Sequence, residues 1–157
     1  MVSVPVSFLE VLVARVSIYL NFMGNTEEAF TQYKSVFGGE FSSLQRMGEI
    51  PSVPGQPELP EHERDMIMHI ELAILDGTVL MGTDMLESMG HRLRVGNGMT
   101  ISLEPDDLAQ TQALFDGLAD GGSDVMPLSR MFWGAYWGTC CDRYGVRWMF
   151  NFPDPTD

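Results

Sequence analysis

The chain has 157 residues, 45% hydrophobic and 20% charged, and its 9 Lys+Arg against 22 Asp+Glu give a formal net charge of −13. That length and composition suit one folded domain with a sizeable core and exclude an intrinsically disordered chain. The acidic balance, with no basic run, argues against nucleic acid or an anionic membrane surface as partner, and no stretch approaches the about 18 clean apolar residues of a membrane span.

The N-terminus, MVSVPVSFLEVLVARVSIYLNF, is apolar but interrupted by Glu10 and Arg15. It has no basic n-region and no A-x-A-like site, so a secretory signal is not expected. Residues 1–15 read as an extension, either an extra strand or an arm. Val11 to Met23 reads as the first strand, most clearly from Val16 onward, and Gly24-Asn25 ends it. Asn25 suits a helix N-cap, with Glu28 three residues on as in a capping box. Ala29, Phe30, Tyr33, Val36 and Phe37 then share one helical face, and Gly38-Gly39 stops the helix. Glu40 to Arg46 is a short strand.

Residues 48–64, GEIPSVPGQPELPEHER, carry four prolines and two glycines. They form a loop, either a lid over a pocket or a solvated excursion. Asp65 to Leu75 is a strand, Asp76-Gly77 a strong hairpin signal, and Thr78 to Asp84 the return. After a second loop, Met99 to Glu104 is a strand. Pro105 breaks it, and Asp106 or Asp107 caps a helix with Leu108, Leu114, Phe115 and Leu118 on its apolar side. Gly121-Gly122 ends that helix, and Asp124 to Ser129 is the next strand.

The last stretch, MFWGAYWGTCCDRYGVRWMFNF from Met131 to Phe152, holds all three tryptophans. It reads as two strands joined at Asp142-Arg143-Tyr144-Gly145, with Gly134 and Gly138 leaving room for a neighbouring backbone or a ligand. So aromatic a surface is either ordinary core or a cavity wall. Cys140 and Cys141 are adjacent and point to opposite faces of a strand, so no ordinary disulfide joins them. A reduced thiol pair fits a cytoplasmic protein.

The order strand–helix–strand–strand–strand therefore occurs twice. A shift of 81 residues lays Ile18 on Met99, Asn25 on Asp106 and Tyr33 on Leu114. Two βαβββ units would pair to enclose a curved cavity, a natural place for a small ligand. The helices, near 26–37 and 107–119, are expected on the outer faces.

YLNFMGNTEEAFTQYKSVFGGEF, HIELAILDGTVLMGTD, GNGMTISLE and FWGAYWGTCCDRYGVRWMFN, in this order, resemble the PhnB-like branch of the vicinal-oxygen-chelate superfamily. That superfamily includes glyoxalase I, extradiol dioxygenases and the bleomycin-resistance proteins. The resemblance covers roughly residues 16–152 and implies an α+β fold of two modules, about 16–84 and 98–152. Relatives in this branch carry a methyltransferase label, but the chain has no glycine-rich strand–loop–helix arrangement suited to S-adenosylmethionine.

Enzymes of the superfamily hold a divalent metal with His, Glu or Gln, one from each of four cavity strands. The resemblance places these positions at Ile18, near Met81, at Met99 and at Met149. Isoleucine cannot ligate, and thioethers are poor ligands for hard or borderline ions, so no metal and no other cofactor is expected. The expected ligand pocket is Ile18, Phe22, His69, Met81, Met99, Trp133, Tyr136 and Met149. His69 shares a strand face with Glu71 and is either a structural histidine, a pocket hydrogen-bonder or a general base. Asp84 either caps a turn or meets a ligand. Arg143 and Arg147 either bind an anion or form ion pairs. His62 and His91 lie in loops. The expected function is binding of a small, partly apolar molecule. The rivals are a metal-dependent lyase or dioxygenase using His69 and Asp84, or a metal-free enzyme with His69 as base. A homodimer is expected, with residues 4–14 taking part.

Overall fold

The computed structural model describes residues 16–154 except positions 53 and 56. The N-terminal extension, and the dimer contact expected of it, lie outside the described residues.

The elements are β1 (Ile18–Phe22), α1 (Thr26–Phe37), β2 (Phe41–Arg46), β3 (Ile67–Ile74), β4 (Thr78–Asp84), β5 (Ile101–Leu103), α2 (Leu108–Ala119), β6 (Ser123–Arg130), β7 (Ala135–Cys141) and β8 (Arg147–Pro153). One sheet runs β1-β4-β3-β2 and the other β5-β8-β7-β6, so the repeat in the sequence is a repeat in space. In each sheet the first strand pairs in parallel with the last strand of its half, and the other pairings are antiparallel.

Both helices lie over the same kind of face. Ala29, Phe30 and Tyr33 of α1 are fully buried against Ile70, Leu72 and Leu80 of the first sheet. Gly82 makes this possible, because a Cβ there would sit 2.5 Å from the Phe30 ring. In the second sheet Leu114, Phe115 and Leu118 of α2 join Leu103, Cys140, Trp148 and Phe150 in the same core. Gly138 is the place where a neighbouring backbone approaches. A Cβ there would lie 2.9 Å from the Leu128 backbone, beside the irregular stretch of the β6–β7 ladder.

The halves meet through α1 and α2. Val36 and Gly117, related by the 81-residue offset of the repeat, sit at the crossing, and a Cβ on Gly117 would come within 2.8 Å of Val36. Tyr33 of α1 also reaches the second sheet, edge-on to Trp148 with ring centroids 5.6 Å apart. The helices thus share one layer. The opposite faces of the two sheets stay open in the single chain, where Tyr19 is 47% exposed.

The caps divide. Asp107 accepts from the Gln110 amide at 2.7 Å, as a capping residue should. Asn25 makes no side-chain cap bond, which corrects the expected capping box. Asp84, at the end of β4, takes the role from outside the helix: its Oδ1 accepts from the amides of Gly24 (2.8 Å) and Thr26 (3.1 Å) and from the Thr26 hydroxyl (2.6 Å).

Candidate functional site

The five residues of β1, Ile-Tyr-Leu-Asn-Phe, alternate strictly. Ile18, Leu20 and Phe22 pack into the core, and Phe22 is 1% exposed. Tyr19 and Asn21 therefore face the open side. This corrects the expected pocket on two residues: Ile18 and Phe22 point toward the helix side, away from the open face.

Across the sheet the register sets Tyr19 beside Met81 and Met81 beside Glu71. The neighbouring row brings Asn21 beside Thr83, and Thr83 is one step from the Ile70–Gly82 pair, beside His69. On this face Tyr19, His69 and Glu71 form a hydrogen-bonded chain. His69 Nε2 lies 2.9 Å from Glu71 Oε1, and its Nδ1 lies 3.3 Å from the Tyr19 hydroxyl. The Tyr19 ring stacks on the imidazole at 5.8 Å. Glu71 also accepts from the Ser42 hydroxyl at 3.1 Å. A carboxylate only accepts, so in the neutral ring Nε2 carries the proton and Nδ1 accepts from tyrosine. Glutamate orients the ring, and the imidazole in turn holds a phenol that stands half in solvent. The group can donate or accept hydrogen bonds and can move a proton at the Tyr19 oxygen.

The second sheet's open face is less polar. Thr139 pairs with Met149 and Trp137 with Asn151, while Ser102 lies opposite Met149 from β5. Trp133 meets Trp137 edge-on at 6.4 Å.

The other expected residues fall as follows. Met81 and Met149 lie on open faces. Met99 precedes β5 and is 87% exposed, so it lies off the ladder. Trp133 sits in the turn before β7 rather than on a strand, because Gly134 at φ +82° bends the chain there. Tyr136 shares its side of β7 with buried Cys140, not with Trp137, and this removes it from the pocket. Asp84 is 4% exposed, and its Oδ2 accepts from the Ile67 amide at 2.8 Å; both oxygens are committed to the backbone and Thr26. Arg143 pairs with Asp120 and Arg147 with Asp124. Sequence reasoning missed Tyr19; the alternation of β1 was the signal that would have found it.

The donor set does not fit the superfamily's metal. On the open faces of β1, β4, β5 and β8 the side chains include Tyr19 and Asn21, Met81 and Thr83, Ser102, and Met149 and Asn151, with no His, Glu or Gln among them. Among the described residues no three His, Cys, Asp or Glu come together as ligands.

The model of a family described as 3-demethylubiquinone-9 3-methyltransferase matches residues 14–150. The chain belongs to that family. A solved structure of protein PA1353 from Pseudomonas aeruginosa is 35% identical over 90% of this chain and 99% of its own, with a TM-score of 0.76. A putative 3-demethylubiquinone-9 3-methyltransferase, PhnB protein, from Bacillus cereus is 25% identical, covering 88% and 99%, with a TM-score of 0.69. A glyoxylase/bleomycin resistance protein/dioxygenase domain from Frankia is 10% identical over 92% of this chain and 96% of its own, with a TM-score of 0.58, a likeness of fold alone. The PhnB-like resemblance and the glyoxalase-type α+β fold therefore both stand.

In this PhnB-like chain the two thiols differ. Burial, with the nearby Asp142 carboxylate adding to it, pushes the Cys140 thiol up to about 11 from an ordinary 9.0. Cys141 lies on the opposite, partly exposed face. That rise leaves roughly a hundredfold less thiolate at neutral pH. Native protein treated with a thiol reagent should lose one thiol quickly and the second only in denaturant. Mass spectrometry should find the first label on Cys141, and fast labelling of Cys140 would contradict the packing described.

Proposed function

We propose that this protein binds a small, partly apolar molecule against the open face of the first sheet, without the metal centre usual in its superfamily. The Tyr19–His69–Glu71 chain carries the reading. It gathers an oriented imidazole and a phenol at one place on a face otherwise lined by Met81, Asn21 and Thr83. Methyl transfer from S-adenosylmethionine is not carried over from the family's name, because the β1–α1 turn holds the single glycine Gly24 rather than a glycine-rich strand–loop–helix turn suited to that cofactor.

A metabolite screen by thermal shift should find a ligand that raises the melting temperature. For that ligand, His69→Ala should weaken binding by roughly 10- to 100-fold, about 1.5–3 kcal/mol, because the Tyr19 phenol and the Glu71 carboxylate that meet it lose the partner that holds them. Unchanged affinity in His69→Ala would remove the site. The orientation of His69 by Glu71 also favours a second reading, a metal-free enzyme with His69 as base, in which Glu71→Gln lowers kcat more than it raises KM. A metal-dependent lyase or dioxygenase is less well supported, since Asp84 is committed to four hydrogen bonds. One equivalent of tightly bound metal in elemental analysis would revive it.

We also place the protein in the cytoplasm as a homodimer of single-domain chains. The free thiols of Cys140 and Cys141 fit a reducing compartment. Residues 4–14 carry Val6, Phe8, Val11, Leu12 and Val13. At about 25 cal/mol per Å2, covering them is worth a few kcal/mol. Light scattering should give a dimer for the full chain and a monomer when residues 1–14 are removed. Two monomers would refute the dimer, and two dimers would refute the role of the segment.

A further inference from the structure

Beyond the end of β4 the chain turns back over the edge of the first sheet. The Met85 amide donates to the Phe22 carbonyl at 2.7 Å. The His91 amide donates to the Leu86 carbonyl at 3.1 Å, while the Leu86 amide donates to His91 Nδ1 at 3.1 Å. The Ser88 amide and hydroxyl both donate to Glu63, which is 1% exposed. These hydrogen bonds hold the Glu63 carboxyl below its usual range and fasten this roof to the segment before β3.

Under the roof is a cavity of about 300 Å3 lined by Asn21, Met47, Thr83, Asp84, Met85, Leu86, Met89 and His91. It has room for roughly ten non-hydrogen atoms, taking about 30 Å3 for each. Three thioethers and a leucine make its wall apolar and adaptable. Its polar contribution is narrow. Asp84 has both oxygens committed. His91 accepts at Nδ1, so its remaining ring proton is on Nε2 and that nitrogen is a donor. Among the described residues no lysine or arginine lines the space. Asn21 and Thr83 are neighbours across the β1–β4 ladder, and Thr83 adjoins His69, so the cavity opens onto the row that holds the imidazole.

We propose that this cavity receives the apolar end of the ligand whose polar end meets Tyr19, His69 and Glu71. The class is an uncharged molecule with a single aromatic ring or a short branched chain, bearing a carbonyl or ether acceptor. A carboxylate finds no cation in this lining. An ammonium finds no free carboxylate, and a hydrocarbon leaves the amide and imidazole donors unanswered. The inference rests on the site proposed above and adds its second half.

The test uses full-length protein carrying 13C at the methionine methyl groups, titrated with acetophenone, one ring bearing one ketone. The Met47, Met85 and Met89 resonances, assigned by single Met→Leu variants, should shift together and saturate at low millimolar probe, while those of exposed Met99 and Met126 stay still. His69→Ala should raise the half-saturation concentration at least tenfold. Saturable shifts that His69→Ala leaves unchanged would support the cavity and overturn its link to the imidazole. Absent shifts, or unsaturating shifts spread equally over Met99 and Met126, would overturn the cavity and leave the His69 site to its own screen.

Discussion

Asp142→Ala should cost about 3–5 kcal/mol of stability, the range expected when a buried hydrogen-bond network is broken. Asp142 is 3% exposed and stands at the β7–β8 turn. Its Oδ2 accepts from the Tyr33 hydroxyl at 2.7 Å and from Trp148 Nε1 at 2.8 Å. Its Oδ1 accepts from the amides of Tyr144 at 2.9 Å and Val146 at 3.0 Å. The carboxylate thus folds its own turn and ties it to α1 of the other half. Burial, then the Asp142 charge, raise the Tyr33 phenol far above its ordinary value, so Tyr33 remains a donor at every pH the fold survives. Alanine would leave a phenol and an indole N–H buried without a partner, each a penalty of about 1–3 kcal/mol. Domains of this kind have about 5–15 kcal/mol in total, so the variant should melt far lower. Urea unfolding measures the change, and a loss below about 1 kcal/mol would show that these contacts do not join the halves. Asp142→Asn preserves shape but places an amide N–H among four donors, and it should recover little.

Asp84→Ala should cost about 2–4 kcal/mol, and for a related reason. The residue caps α1 from the end of β4 and also holds the Ile67 amide at the start of β3. Removing a helix cap alone costs about 0.5–2 kcal/mol, and the buried Ile67 amide adds its own penalty. The reading of Asp84 as a metal ligand predicts the opposite pattern, with stability kept and metal lost. Unfolding curves and metal content measured on the same variant therefore separate the two roles.

Much of the fold was legible in the residues. The helix faces of Ala29, Phe30 and Tyr33 and of Leu114, Phe115 and Leu118, the Asp76-Gly77 hairpin and the turn at Gly145 are stretches whose own periodicity and turn chemistry suffice. The doubled order of elements followed from them, and both sheets keep it. The site was legible only in part. His69 and Glu71, two apart on one strand, were correctly placed on one face, and both are where the alternation puts them. The resemblance selected Ile18, and the burial of Phe22 shows that the open side of β1 belongs to Tyr19. Tyr136 failed in the same way, one position from Trp137 on an alternating strand.

Which elements form is therefore written locally in this chain, because a helix face, a cap or a two-residue turn involves neighbours a few positions apart. What the polar groups do is settled by pairing across long stretches of chain. Tyr19 meets His69 across 50 residues, Asp84 caps a helix 58 residues before it, and Asp142 receives the hydroxyl of Tyr33 from 109 residues away. No pattern within a strand specifies such partners. Strand order and register bring them together, and a shift of one residue in register would turn the strand side chains among them, Tyr19, His69 and Asp84, to the other face.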